Sequence, residues 1–258
     1  DPSRGVLIAL EKLLDGGVAP ESLYRIVHAT TLFTNALIER KGARTGLITT
    51  KGFRDVLEIG RERKYELYDI YIAMPKPLAP RNLRLEVTER MAQDGSEITP
   101  PDEEELLFQV DTLLAKGVES IAIVFLHAYA NPAHEDAALA AIARKYPDLI
   151  ITASHDVAPE IREYDRTSTT VTNAYVKPLA HTYVDRLVDK TADLGIGAPY
   201  FMMLSNGGLT HIEEAKRSPV QLLESGPAAG ALVAAYFGNK AGVDNVLAFD
   251  MGGTTAKL

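Results

Sequence analysis

Residues 120–126, SIAIVFL, hold six consecutive apolar side chains rich in β-branched residues. The run is too short for a buried helix and lacks the polar alternation of a half-exposed strand, so it reads as a strand covered on both faces. Helical periodicity flanks it at 102–116 and again at 132–146. A buried strand set between two helices is the alternation that marks an α/β arrangement.

The same alternation extends along the chain. Val6, Leu7, Leu10, Leu13 and Leu14 recur at helical spacing over 3–15, with Ser3 as cap and Gly16-Gly17 as stop. YRIVHAT predicts a short buried strand, TLFTNALIERKG a helix, ARTGLITT a second strand and FRDVLEIG a short helix. Alternation breaks off between Tyr65 and Pro101. MPKPLAPRN has too many prolines for helix or central strand, and LRLEVTERMAQDGSEI reads as a hairpin turning at Asp94-Gly95.

LIITAS is a further strand. Residues 168–194 predict a long helix with the ridge Val171, Tyr175, Leu179, Tyr183 and Leu187, which Pro178 kinks or divides. Strands YFMML, VQLLES and NVLAFD follow, with the turn SNGG and the helix GPAAGALVAAYFG between them. A domain boundary is placed at 190–200, giving regions 1–195 and 196–258.

Composition excludes several functions. With 27 basic and 35 acidic residues, the net charge of −8 and the lack of a basic stripe argue against nucleic-acid or anionic-membrane binding. No Cys is present, which removes disulfides and thiolate metal sites and suits a cytoplasmic location. The histidines show no HxxxH or HExxH spacing, and no apolar run reaches the ~18 residues that span a bilayer. The chain opens on Asp1-Pro2-Ser3-Arg4 without an initiator Met or a signal peptide, so a cut N-terminus is expected.

Candidate chemistry concentrates in glycine turns. In FDMGGTTAK, Gly252 and Gly253 would let backbone N–H groups approach a phosphate, with the hydroxyls of Thr254 and Thr255 beside them. Asp250 would repel a phosphate, so it suits the water shell of Mg²⁺ or the orientation of a nucleophile. A bare hairpin turn satisfies the same local pattern. At Ser225-Gly226-Pro227 a strand enters a helix whose free N–H groups would face an anion, although small residues there equally serve close packing. The two turns are expected on neighbouring strands of one sheet, opening onto one crevice.

Asn206 in SNGGL suits a positive φ and reads most simply as a turn residue. In HATTLFTNAL, Thr30 and Thr31 are helix-cap candidates, and Thr31, Thr34 and Asn35 are candidate substrate contacts at a strand's carboxyl end. Within EIREYDRTSTTVTNAY, the residues Glu160, Arg162, Arg166 and Asn173 either form a satisfied internal network or line a cleft.

Together the blocks HATTLFTNALIERKGARTGLITTKGFRDVLEIGR, EIREYDRTSTTVTNAY, SNGGL, SGPAAG and FDMGGTTAK resemble, in order, the hydantoinase A / 5-oxoprolinase family and the related ATPase subunits of ketone carboxylases. The resemblance covers essentially the whole chain. It implies an actin-like ATPase fold, ribonuclease H-like sheets with flanking helices, in which residues 250–255 form the second of two phosphate loops. It also implies ATP and Mg²⁺, phosphorylation of a cyclic amide oxygen, and ring opening completed by a hydantoinase B-like subunit or a fused second half, in an oligomer. An acetone- or acetophenone-carboxylase-like subunit is the alternative, and a non-catalytic fragment giving only fold and subunit contacts is a third reading. The family's first phosphate loop and adenosine half lie outside this sequence, so the chain is expected to be incomplete at both ends and inactive alone. The usual HGTT stands here as His28-Ala29-Thr30-Thr31, with a methyl where the family has glycine.

Overall fold

A computed structural model of the chain describes residues 2–61, 66, 68–251 and 254–257. In chain order the elements are α1 (Ser3–Asp15), β1 (Ile26–His28), α2 (Leu32–Ile38), β2 (Thr45–Thr50), α3 (Val56–Ile59), β3 (Arg84–Val87), β4 (Arg90–Met91), β5 (Glu97–Thr99), α4 (Glu103–Ala115) and β6 (Ser120–Val124). There follow α5 (Ala133–Lys145), β7 (Ile150–Ala153), α6 (Ser154–Val157), α7 (Glu163–Asp193), β8 (Tyr200–Met203), β9 (Leu209–His211), α8 (Ile212–Arg217), α9 (Ser225–Ala241), β10 (Asp250–Met251) and β11 (Ala256–Lys257). Contacts divide these into two units, Ala43–Pro178 and Asp1–Gly42 with Leu179–Leu258.

The first unit is built on a parallel sheet of order β3-β2-β6-β7. All five residues of β6 are buried, as its apolar run requires. Strand periodicity sends its side chains to opposite faces. Ile121 and Ile123 join Ile48, Val110, Leu113 and Ile142 against α4 and α5. Ala122 and Val124 instead join Leu47, Val171 and Ala174 against α7. Asp102 caps α4 by accepting from Glu105 N–H at 3.0 Å, which starts the helix where its periodicity begins. The hairpin β4–β5 turns at Asp94-Gly95 as expected, with Ser96 N–H donating to Asp94.

Polar groups close the carboxyl ends of β6 and β7. The fully buried Glu135 accepts from Phe125 N–H at 2.9 Å, Ser154 Oγ at 2.6 Å and His155 N–H at 2.9 Å. Its second oxygen also meets His155 Nδ1 at 2.7 Å, and this hydrogen bond raises the histidine's pKa above its ordinary value. The buried Arg166 donates to the carbonyls of Phe125 and Glu160 and lies over the Tyr129 ring. Asn173 donates to Thr152 Oγ1. Arg166 and Asn173 therefore belong to an internal network, while Arg162 is exposed.

In the second unit β1 pairs in parallel with β8, and β8 pairs antiparallel with β9. The α7 ridge is as predicted in its outline: Val171, Tyr175, Tyr183 and Leu187 are buried, and Pro178 sits inside one continuous helix.

Two predicted strands are corrected. VQLLES is a 3₁₀ turn over Pro219–Leu222, because Pro219 has no N–H for a ladder. NVLAFD is irregular up to Phe249, and only Asp250–Met251 pair, with Ala256–Lys257. An apolar run becomes a strand only where a neighbour takes up its backbone groups, and none does so for 245–249 among the described residues. The predicted common sheet for the two glycine turns is therefore absent: β10–β11 is a separate hairpin.

Candidate functional site

The second unit nevertheless brings three of the predicted blocks together through side chains. After β1 the chain passes through Ala29, Thr30 and Thr31 into α2. The Thr30 hydroxyl accepts from Leu32 N–H at 3.1 Å, so Thr30 rather than Thr31 closes the first turn. Thr30 N–H donates to Ser225 Oγ at 3.2 Å, and that hydroxyl donates to Thr30 C=O at 3.0 Å. One helical turn later, Thr34 Oγ1 accepts from Glu224 N–H at 3.0 Å. The start of α2 is thus clasped to the start of α9.

Gly226 is required by this clasp. A Cβ there would fall 2.7 Å from Thr31 Cγ2, inside contact distance. Gly226→Ala is expected to cost about 1–3 kcal/mol by overpacking, read as a lowered urea midpoint at unchanged m-value. The companion Thr31→Ser, which removes the opposing methyl, should recover most of that loss when combined with it.

Glu224 stands in the left-handed region, φ 64°, immediately before α9, and its carboxylate forms an ion pair with Lys257 of β11. Thr254 Oγ1 lies 3.3 Å from Glu39 Oε1 just past the end of α2. Lys41 draws the pKa of Glu39 below its ordinary value, and Thr254 adds to that effect. Through these contacts the 250–257 hairpin meets both α2 and the start of α9. Asp250 is exposed, in register with Lys257, and Thr255 is half-buried. The predicted Gly252 and Gly253 lie outside the described residues.

Thr31, Thr34, Ser225 and Gly226 are therefore assembled, and Asn35 is half-buried on α2 beside them in sequence. Asn206 is not part of the assembly shown: it is exposed, and its Oδ1 accepts from Gly208 N–H at 2.9 Å. The positive φ in that turn, 83°, belongs to Gly207 rather than to Asn206.

Sequence reasoning missed an aromatic support beneath the clasp. His28 Nε2 lies 2.8 Å from Tyr183 Oη, Tyr183 also bonds the Thr30 side chain, and Tyr200 packs its edge on His28. No local signal marks this cluster, because it depends on β1 pairing with a strand far along the chain, Ile26 opposite Tyr200. Burial pushes His28 down to about 4 and Tyr200 up to about 12.

A histidine held neutral in the fold but titrating at its ordinary pKa when unfolded favours the native state fully above pH ~6.5. As pH falls towards about 4 the unfolded chain takes up the proton first, and that stability is lost. The linkage amounts to at most about 3 kcal/mol, lessened by the residual exposure of the ring. The stability gap between the wild type and His28→Gln should accordingly shrink between pH 7 and pH 4. A constant gap would show that His28 is not shifted.

The arrangement offers donors to an anion. Ser225 and Gly226 begin α9, where backbone N–H groups lack intrahelical acceptors, and Pro227 has none to satisfy. Those N–H groups suit an anion; Thr254 lies beside Glu39 past the other end of α2, and Asp250 is in register with Lys257, whose ammonium reaches Glu224 just before α9. Among the described residues no cluster of His, Asp and Glu could bind a bare metal directly, and no helix is long and apolar enough to cross a membrane.

Comparison with known proteins bears on what such a site is for. The hydantoinase/oxoprolinase N-terminal region profile matches residues 1–146, and the hydantoinase/oxoprolinase profile matches residues 166–258. The chain is 37% identical to the caprolactamase subunit alpha of Pseudomonas jessenii over 89% of its length, which is 33% of that protein. It is 34% identical to the acetophenone carboxylase gamma subunit of Aromatoleum aromaticum, over 99% of its length and 37% of that subunit. The crystal structure of the ATP-dependent caprolactamase from Pseudomonas jessenii superposes with a TM-score of 0.82 at 35% identity, over 98% of this chain and 37% of the other. The chain thus spans about a third of the length of these curated relatives. The α/β class, with its parallel sheet and helices, agrees with that structure and with an actin-like ATPase fold.

Proposed function

The chain belongs to the hydantoinase/oxoprolinase family, and from that premise we propose that it is part of an ATP-using subunit that activates a small cyclic amide for hydrolysis. The observation that carries this reading is the convergence of residues 30–39, 224–226 and 254–257 in one unit, through the Thr30–Ser225, Thr34–Glu224, Thr254–Glu39 and Lys257–Glu224 contacts. Such a clasp fixes backbone donors before a ligand arrives, so their orientation costs nothing at the moment of reaction.

In this reading the N–H groups at Ser225 and Gly226, with the hydroxyls of Thr254 and Thr255, hold phosphate oxygens. Gly252 and Gly253 allow the backbone to come close. Asp250 holds water molecules of a Mg²⁺ shell, and the ion supplies charge neutralisation for a phosphoryl group. Thr31, Thr34, Asn35 and Asn206 are proposed as substrate contacts; the accepting oxygen of Thr34 is already engaged by Glu224 N–H, which leaves its hydroxyl proton to donate. An unstrained amide resists attack until its oxygen is a good leaving group, and phosphorylation by ATP makes it one. The relatives named as subunits support a partner subunit; a hydantoinase B-like partner or a fused second half, and an oligomer in the cytoplasm, belong to the same proposal.

A second reading has its own support in the acetophenone carboxylase relative: an ATPase subunit of an acetone/acetophenone carboxylase-like enzyme, which activates a ketone oxygen by phosphorylation instead. The full-length protein, incubated with ATP and Mg²⁺ and each of hydantoin, 5-oxoproline, caprolactam, and acetone with bicarbonate, separates the two. ADP release stimulated by a cyclic amide, with a ring-opened product, is the expected result. Stimulation by acetone and bicarbonate alone would transfer the protein to the carboxylases.

A further inference from the structure

The other unit holds a cleft of about 600 Å³, well within the range of small-molecule sites. Phe53, Val56 and Ile59 give it an apolar wall, and the first turn of α7 gives it a polar one. Arg61 and Asp165, both lining the cleft, are matched to each other, with Arg61 Nε 2.9 Å from Asp165 Oδ1 and a second contact through Nη2. That clasp removes one charge of each sign from the balance.

What remains among the described lining residues is one more charge of each sign, Arg162 and Glu163. Neither Arg162 nor Glu163 makes a side-chain hydrogen bond or ion pair among the described residues; Glu163 feels only the more distant charge of the buried Arg166. Both line the same cleft, which therefore holds a guanidinium and a carboxylate together with an apolar surface. A single anion would meet Glu163 and a single cation would meet Arg162, with like charges repelling in each case. A ligand carrying both charges on neighbouring atoms satisfies both and covers the apolar wall with its remainder. We propose that this cleft binds a small zwitterion with an apolar body, an α-amino acid with an aliphatic side chain, its carboxylate on Arg162 and its ammonium on Glu163. The site is independent of the phosphate reading, since every residue in it belongs to the other unit and binding needs no nucleotide.

The test dissects the ligand as well as the protein. L-norleucine carries both charges and an aliphatic chain; hexanoate lacks the ammonium, hexylamine the carboxylate, and glycine the apolar body. Titrations are followed by calorimetry and by amide shifts of Gly60 and Tyr164. Norleucine should bind below about 10 mM and more tightly than all three partial probes. Arg162→Gln should weaken norleucine and hexanoate by about tenfold and, by removing a like charge, strengthen hexylamine. Glu163→Gln should weaken norleucine and hexylamine and, by removing a like charge, strengthen hexanoate. Among the described residues neither side chain makes a hydrogen bond or ion pair, so the variants should melt close to the wild type. No binding of norleucine at that concentration, binding with no shift at Gly60 and Tyr164, or equal loss of every probe in both variants would each overturn the proposal.

Discussion

Glu135→Ala is expected to lower the unfolding free energy by about 3–5 kcal/mol, the largest single effect in the chain. Glu135 is fully buried and accepts from Phe125 N–H, Ser154 Oγ, His155 N–H and His155 Nδ1. Alanine leaves these donors facing a void, and each unpaired buried group costs about 1–3 kcal/mol. The carboxylate ties the end of β6 to the start of α6, so its loss loosens the carboxyl edge of the parallel sheet. Glu135→Gln keeps one acceptor oxygen and should retain part of the stability. Urea denaturation reads the energies, and an NMR titration of His155 gives a second readout. Its pKa, raised chiefly by the Glu135 hydrogen bond, should fall in the alanine variant. A loss under ~1 kcal/mol with an unmoved His155 would show that these bonds are replaced by others.

The second large effect falls on activity. In the full-length protein, Asp250→Ala should reduce substrate-dependent ATP hydrolysis by about 10²-fold or more, the scale seen when a preorganised charge-stabilising group is removed. Asp250 is exposed on a two-residue strand, so the same change should move the melting temperature little. Asp250→Asn keeps the shape and removes the charge. If the role is to hold a cation's water shell, it should be nearly as impaired, and excess Mg²⁺ should recover part of its rate. Unchanged turnover in both variants removes Asp250 from the mechanism.

The sequence-based expectations succeeded where the determinant is local. The six apolar residues of 121–126, four of them in β6, and the periodic helices on either side identify a buried strand of an α/β fold, because burial on two faces leaves its own pattern. They failed at 220–225 and 245–249, where apolar content promised strands. Strand formation depends on a neighbour's backbone groups, which composition does not report. The clasp was legible only in part: the strand-to-helix turn at Ser225 and the cap at Thr30 are local features. That each uses the other's hydrogen bonds across 195 residues is set by tertiary packing. The Arg162–Glu163 pair stood inside a recognisable polar block, but which of its charges are satisfied depends on where α7 and Arg61 lie.

Amide hydrogen–deuterium exchange of the full-length protein, with and without Mg²⁺ and a non-hydrolysable ATP analogue, tests the proposed phosphate site most directly. Protection should rise together in peptides covering residues 28–39, 222–230 and 248–257, and remain unchanged over α4 and α5. Protection confined to one of the three segments, or absent from all of them, would contradict a single site built from the clasp and the hairpin.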